Sequence, residues 1–120
     1  MPDATAIDAL AGALGEGDMG RWFPGDSDPA AHGARSVEHL APLTGAVAQA
    51  GLAIDHVDSL VTLGTVRLGP HLQAMRETLA GALGIPAERV SVKARSNDGL
   101  GPEGRGEAAS AAVAVLLGPA

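Results

Sequence analysis

Apolar residues recur every three or four positions in three stretches of this chain and alternate with polar ones in two others. Ile7, Leu10 and Leu14 have helical spacing over Ala6 to Leu14, with Asp3 or Thr5 placed to cap the start and Gly15 to end the helix. Val37, Leu40, Leu43 and Val47 predict a second helix that Ser36 can cap and Gly51 stops. Pro42 lacks a backbone donor and draws the start of that helix towards itself. Pro70 opens a third, with Leu72, Met75, Leu79 and Leu83 on one face and Gly84-Ile85-Pro86 closing it. Val57 to Leu63 reads as a strand, and Val90, Val92 and Ala94 alternate along a second. The stretch Glu107 to Leu117, small and apolar almost all round, predicts a last helix buried inside the subunit or against a neighbour.

A strand, a helix and a strand in that order require a crossover between parallel strands. Two strands do not make a sheet alone, so the pattern leaves the sheet short of partners. The expected fold class is α/β (α+β), with a small sheet packed against helices in one domain over residues 1–120. Two Gly, Pro and Asp-rich stretches, Gly15 to Gly33 and Asn97 to Gly106, predict turns and ligand-facing loops.

Composition narrows the function. The 120 residues bury about two thirds of the surface of the unfolded chain, which allows a core of modest size. Aromatic side chains are limited to Trp22 and Phe23, so Ala, Leu and Val must fill it. No cysteine is present for a disulfide or thiolate metal site, and Met1-Pro2-Asp3-Ala4 lacks the pattern of a secretion signal, so a cytoplasmic address is expected. Ala108 to Leu117 is too short for a membrane span. Fourteen acidic residues against eight basic ones, with the arginines scattered, argue against nucleic acid as a partner.

Candidate chemistry lies in the loops. Gly99 to Gly106 feeds the predicted last helix, whose free N–H groups would favour an anion, with Arg105 adding a charge-assisted pair. The same stretch also reads as a turn in which Arg105 bridges to Glu107 or to a neighbouring chain. Among His32, His39, His56 and His71, only His56 has a carboxylate, Asp58, two positions away on one strand face, which would supply two metal ligands. A partly exposed histidine at the start of a strand is the plainer reading. Asp18, Asp26 and Asp28 suit either sugar hydroxyls or turn capping.

Several of these segments together resemble a known family. Gly17-Asp18-Met19-Gly20, then Phe23-Pro24 and Asp26-Ser27-Asp28-Pro29, are similar to the GD(I/L)G…FPDTDP stretch of 2-C-methyl-D-erythritol 2,4-cyclodiphosphate synthases. Pro70-His71 with Met75-Arg76, Val92-Lys93-Ala94, and Leu100-Gly101 with Gly104-Arg105-Gly106-Glu107 follow in the family's order. The resemblance implies a homotrimer with active sites between subunits, acting in the non-mevalonate isoprenoid route. It implies a zinc ion and a second divalent ion, magnesium or manganese, holding the diphosphate of a cytidine-diphospho-methylerythritol 2-phosphate. The reaction would be that of a phosphorus-oxygen lyase, in which the 2-phosphate attacks the inner phosphate, closes a ring and releases CMP.

Carried onto this chain, the resemblance implies that Asp18, Met19, Gly20, Phe23, Pro24, Asp26, Ser27 and Asp28 face the methylerythritol part, with Arg105 at the family's arginine. Leu63, Gly64, Thr65, Val66, Arg67, Leu68 and Gly69 would enclose cytosine, and Arg67 stands where a lysine is common. Arg95, Ser96, Asn97 and Asp98 occupy the place of a Thr-Thr-x-Glu run; Ser96 and Asp98 take its catalytic role, while Arg95 and Asn97 touch the nucleotide. Pro102 replaces a frequent Phe. The family opens with strands bearing an Asp-x-His pair and a later His-Ser-Asp-Gly-Asp loop, which in register precede Met1. Its third zinc ligand falls near Asp8, the one candidate metal ligand here. The expectation is therefore a degenerate metal site that binds no divalent ion alone, and either a non-catalytic relative or a synthase completed from upstream or by a partner chain supplying strands.

Overall fold

The computed structural model describes residues 2–22 and 38–120. Helix α1, Pro2–Ala13, buries Ala6, Ile7, Leu10 and Ala11 along one stripe. It ends where Glu16 and Gly15 donate their amides back to the Ala11 and Gly12 carbonyls, the paired closure that silences a helix's last carbonyls. A single turn, α2 (Met19–Trp22), follows. Helix α3, Leu40–Gln49, starts three residues later than a cap at Ser36 would place it, and Ser36 lies outside the described residues. Pro42 sits in its first turn, where a missing amide leaves no intrahelical bond unmade. Leu40, Leu43 and Val47 form its buried face.

Strand β1 runs Leu52–Thr62, beginning well before Val57. A tight turn, Gly69–His71, leads into helix α4, Leu72–Leu83. Gly84 then takes a left-handed φ of 68°, and Ile85 donates to the Ala80 carbonyl while packing on the core. Strand β2, Val90–Arg95, follows a short turn over Ala87–Arg89. After it come a turn at Asn97–Gly99, a one-turn helix α5 (Gly101–Gly104) and strand β3, Ser110–Pro119.

The last element corrects the helix expected over Glu107 to Leu117. Ala111, Val113, Val115 and Leu117 alternate with the more exposed Ala112, Ala114 and Leu116, a period of two that a strand requires and a helix does not. Pairing along nearly the whole of β1 overrides the helix propensity of its alanines.

The sheet order is β2-β1-β3. Strands β1 and β2 are parallel, from Val57↔Val90 to Thr62↔Arg95, with α4 as the crossover. Strand β3 is antiparallel to β1, from Leu52↔Pro119 to Thr62↔Ser110, with a bulge between Ile54 and His56 that throws Asp55 outward. Strand β3 thus gives the sheet a third strand from within the chain. One face, carrying Val57, Ser59 and Val61, packs under α1, α3 and α4; buried Ser59 donates its hydroxyl to the Ser91 carbonyl at 3.0 Å. Arg76 of α4 donates its Nε to the Ala87 and Val90 carbonyls at 2.7 and 2.8 Å, fastening the helix to the start of β2.

Candidate functional site

Parallel strands bring their carboxyl ends to one side of the sheet, and loops leaving such ends are a common place for ligands. Here β1 ends at Thr62 and β2 at Arg95, which are register partners, and the Leu63 amide donates to the Arg95 carbonyl at 3.0 Å. Leu63, Val66, Arg67, Leu68, Ala94, Arg95 and Ser96 line a cavity of about 140 Å³ between the diverging loops. Segments far apart in the chain, singled out from sequence as nucleotide-binding, therefore meet in one place. Thr65 and Gly69 belong to the same loop but do not line the cavity.

Beyond Ser96 the backbone turns left-handed at two consecutive non-glycine residues, Asn97 (φ 65°) and Asp98 (φ 52°). Asn and Asp tolerate this region better than other side chains, yet it still costs about 1–3 kcal/mol per residue. Two local bonds hold the turn: the Asp98 amide donates to Ser96 Oγ at 3.2 Å, and Asn97 Nδ2 donates to the Leu100 carbonyl at 3.0 Å. The Asp98 carboxylate is exposed and outside the cavity lining.

The two loops are joined by main chain. Gly64 donates its amide to the Glu103 carbonyl at 2.8 Å, and a Cβ on Gly104 would stand 2.5 Å from the Gly99 carbonyl carbon. Close backbone approach thus accounts for Gly64 and Gly104, a role that spacing alone did not disclose. The anion site expected at a helix after Gly106 is corrected, because β3 and not a helix follows. Arg105 instead meets Glu107, Nε to Oε1 at 3.1 Å and a terminal nitrogen to Oε2 at 3.2 Å, with both side chains more than half exposed.

The other candidates lie elsewhere. Asp18 caps α2, its Oδ1 accepting the Arg21 amide at 3.0 Å, and Trp22 donates its indole N–H to the Glu16 carbonyl at 3.0 Å. Met19 and Gly20 form the start of that turn. Trp22 and Glu16 line a separate groove of about 450 Å³ with Leu14 and Gln49, so within one chain this region does not reach the cavity beside Arg95. Phe23, Pro24, Asp26, Ser27, Asp28 and His32 lie outside the described residues.

Asp8 is on the exposed side of α1. His56 lies within the central strand and not at its start; its Nε2 is 3.3 Å from Ser91 Oγ, and neighbouring Asp58 accepts Lys93 Nζ at 2.9 Å. These groups line a cleft of about 590 Å³ with Gln73 and Arg76, which sequence reading missed because its members come from three elements. Among the described residues no three His, Asp or Glu side chains are grouped to hold a metal ion. The described residues by themselves do not form a metal site.

The YgbB family profile matches residues 4–118. The 2-C-methyl-D-erythritol 2,4-cyclodiphosphate synthase of Trichlorobacter lovleyi is 44% identical over 112 residues, 93% of this chain and 71% of its own length. The Burkholderia thailandensis enzyme is 46% identical over 110 residues, 92% of this chain and 67% of its own. The bifunctional IspDF from Campylobacter jejuni superposes with a TM-score of 0.86 at 31% identity, over 96% of this chain and 31% of that one. A synthase solved in its CDP-bound form gives a TM-score of 0.81 at 31% identity, over 97% of this chain and 74% of its own. A three-stranded sheet with its helices, a family profile over nearly the whole chain and relatives of this similarity together make the chain a member of the 2-C-methyl-D-erythritol 2,4-cyclodiphosphate synthase family.

Proposed function

We propose that this chain grips a nucleotide-type ligand of the isoprenoid pathway in the loops after β1 and β2, and does not by itself carry out the metal-assisted ring closure. The observation that carries this reading is the meeting of Leu63 to Leu68 with Arg95 and Ser96 in one cavity, at the strand ends where a fold of this kind binds ligands. Ring closure with release of CMP places charge on a transferring phosphoryl group, and metal ions supply most of its stabilisation in such reactions. No grouped metal ligands stand among the described residues, so zinc, magnesium or manganese requires donors from elsewhere.

Assembly as a homotrimer in the cytoplasm belongs to the same reading. Large apolar side chains left exposed among the described residues, Val66 at 51%, Leu100 at 70% and Leu116 at 61%, support the assembly. No helix among the described residues is long and apolar enough to cross a membrane. The alternative is an active lyase whose metal ligands come from further chain or from a partner supplying strands, favoured by relatives that bear the synthase name.

Incubating the purified chain with zinc, magnesium and the cytidine-diphospho substrate, and measuring CMP, separates the two. Binding without turnover is expected. Turnover that survives Asp8→Ala would establish the active alternative, and a monomer by light scattering would remove the trimer.

A further inference from the structure

An aspartyl carboxyl meets the next main-chain nitrogen most readily when glycine follows, because glycine sets no Cβ beside that nitrogen and leaves the backbone free to turn. Of the aspartates in this chain only Asp98 precedes a glycine, Gly99. Asp8, Asp18, Asp55 and Asp58 precede Ala9, Met19, His56 and Ser59, each of which carries a side chain. Surroundings separate Asp98 as well. Asp18 accepts the Arg21 amide and Asp58 accepts Lys93, whereas the exposed Asp98 carboxylate meets no donor among the described residues. A Cβ built on Gly99 would meet nothing within 4 Å, so a ring closed at this nitrogen has room. Asp98 is also held at φ 52° between Asn97 at 65° and Gly99 at 77°. The cost of that conformation arises where Cβ crowds the following carbonyl oxygen, and a linkage that moves this carbonyl off Cα removes it.

We propose that Asp98 and Gly99 form a modification site at which the folded chain converts aspartate to isoaspartate. The Gly99 nitrogen attacks Asp98 Cγ; the N–Cγ bond forms, a Cγ–O bond breaks, and the amide proton leaves with the hydroxyl as water. Water then reopens the imide ring. Attack at Cγ restores aspartate, whereas attack at the main-chain carbonyl breaks the original peptide link and leaves Gly99 joined through the side chain. The water lost is regained, and no oxidant or other co-reactant takes part. The product carries its carboxylate directly on Cα and adds one carbon to the main chain between Asn97 and Gly99. That turn has little slack, since the Leu100 amide donates to the Asn97 carbonyl at 2.9 Å and a Cβ on Gly104 would stand 2.5 Å from the Gly99 carbonyl carbon. The extra carbon therefore loosens the turn and its seat on Gly104. The inference goes beyond the ligand-binding reading above and does not rest on it.

The test holds the purified chain at body temperature and neutral pH for weeks, beside a synthetic peptide running from Ala94 to Gly101. Samples of both are treated with an isoaspartyl carboxyl methyltransferase and labelled S-adenosylmethionine, and peptide mapping with electron-transfer fragmentation places the change. Label is expected to accumulate in the folded chain on the fragment that contains Asp98, preceded by a species lighter by one water. The aged fraction is expected to melt earlier than the fresh one. Asp98→Glu, whose longer carboxyl must close a larger ring, is expected to lose the signal, and Gly99→Ala to cut it several-fold. Should alanine strain the turn at φ 77°, Asp98→Glu carries the test alone, since Asp98 is exposed. Asp8→Glu, on the exposed side of α1, is the control and is expected to leave the signal unchanged.

Absence of isoaspartate at Asp98 by the time the peptide has converted overturns the proposal, as does a signal that Asp98→Glu leaves intact or that maps to another aspartate. Neither nucleotide nor metal enters the assay, so its failure leaves the ligand-binding reading standing.

Discussion

The Gly64 amide and the Glu103 carbonyl oxygen stand 2.8 Å apart, so the loop after β1 is tied directly to the loop after β2. A Cβ on Gly64 would lie 2.7 Å from that same oxygen. Gly64→Ala is expected to push the loops apart and to destabilise the fold by about 1–3 kcal/mol, the usual scale for overpacking. Urea denaturation measures this, and a variant as stable as the parent would show that the two loops are not locked together.

Arg76 of α4 donates to two carbonyls, Ala87 in the turn before β2 and Val90 at its first residue. Arg76→Met keeps most of the side-chain volume and removes both bonds, with an expected loss of about 1–3 kcal/mol. Arg76→Lys is expected to recover part of that, since one ammonium can reach a carbonyl but cannot reproduce the guanidinium's geometry. Thermal melts of the pair provide the comparison.

Opposite faces of β3 predict opposite responses. Val115 is packed against the core, whereas Ala114 is on the open side in register with Asp58. Val115→Asp is expected to cost several kcal/mol by setting a charge among the apolar neighbours of a partly buried position, while Ala114→Lys is expected to stay within about 0.5 kcal/mol. Circular dichroism on both variants decides it; equal damage would favour a helix buried on all sides.

Metal removal is expected to leave the melting temperature where it was. A site that held zinc in the folded state alone would raise stability by mass action, and among the described residues no such group is assembled. A clear fall on adding EDTA, or one tightly held zinc per chain by elemental analysis, would contradict this.

The sequence disclosed α4 and β2 well because local signals agreed there: Pro70 before the helix, apolar residues at helical spacing, Gly84 after it, then alternating Val90 and Val92. It disclosed β3 poorly because alanine, the strongest helix former, fills Ala111, Ala112 and Ala114. The alternating Val113, Val115 and Leu117 carried the strand signal, but only pairing with β1 made it decisive. The early start of β1 was hidden by Asp55, which the bulge removes from the alternation. For the site, the family motifs marked both loops, while the nearness of Arg67 to Arg95 depends on the parallel register at Thr62↔Arg95, a long-range fact no local window contains.

That register also bears on how a ligand is received. The cavity's walls leave from paired residues and are bound to one another by backbone, so little ordering remains to be done when a guest arrives. Association is expected to be a single fast phase without a slow isomerisation, and differences in affinity among variants to appear in how long the guest stays.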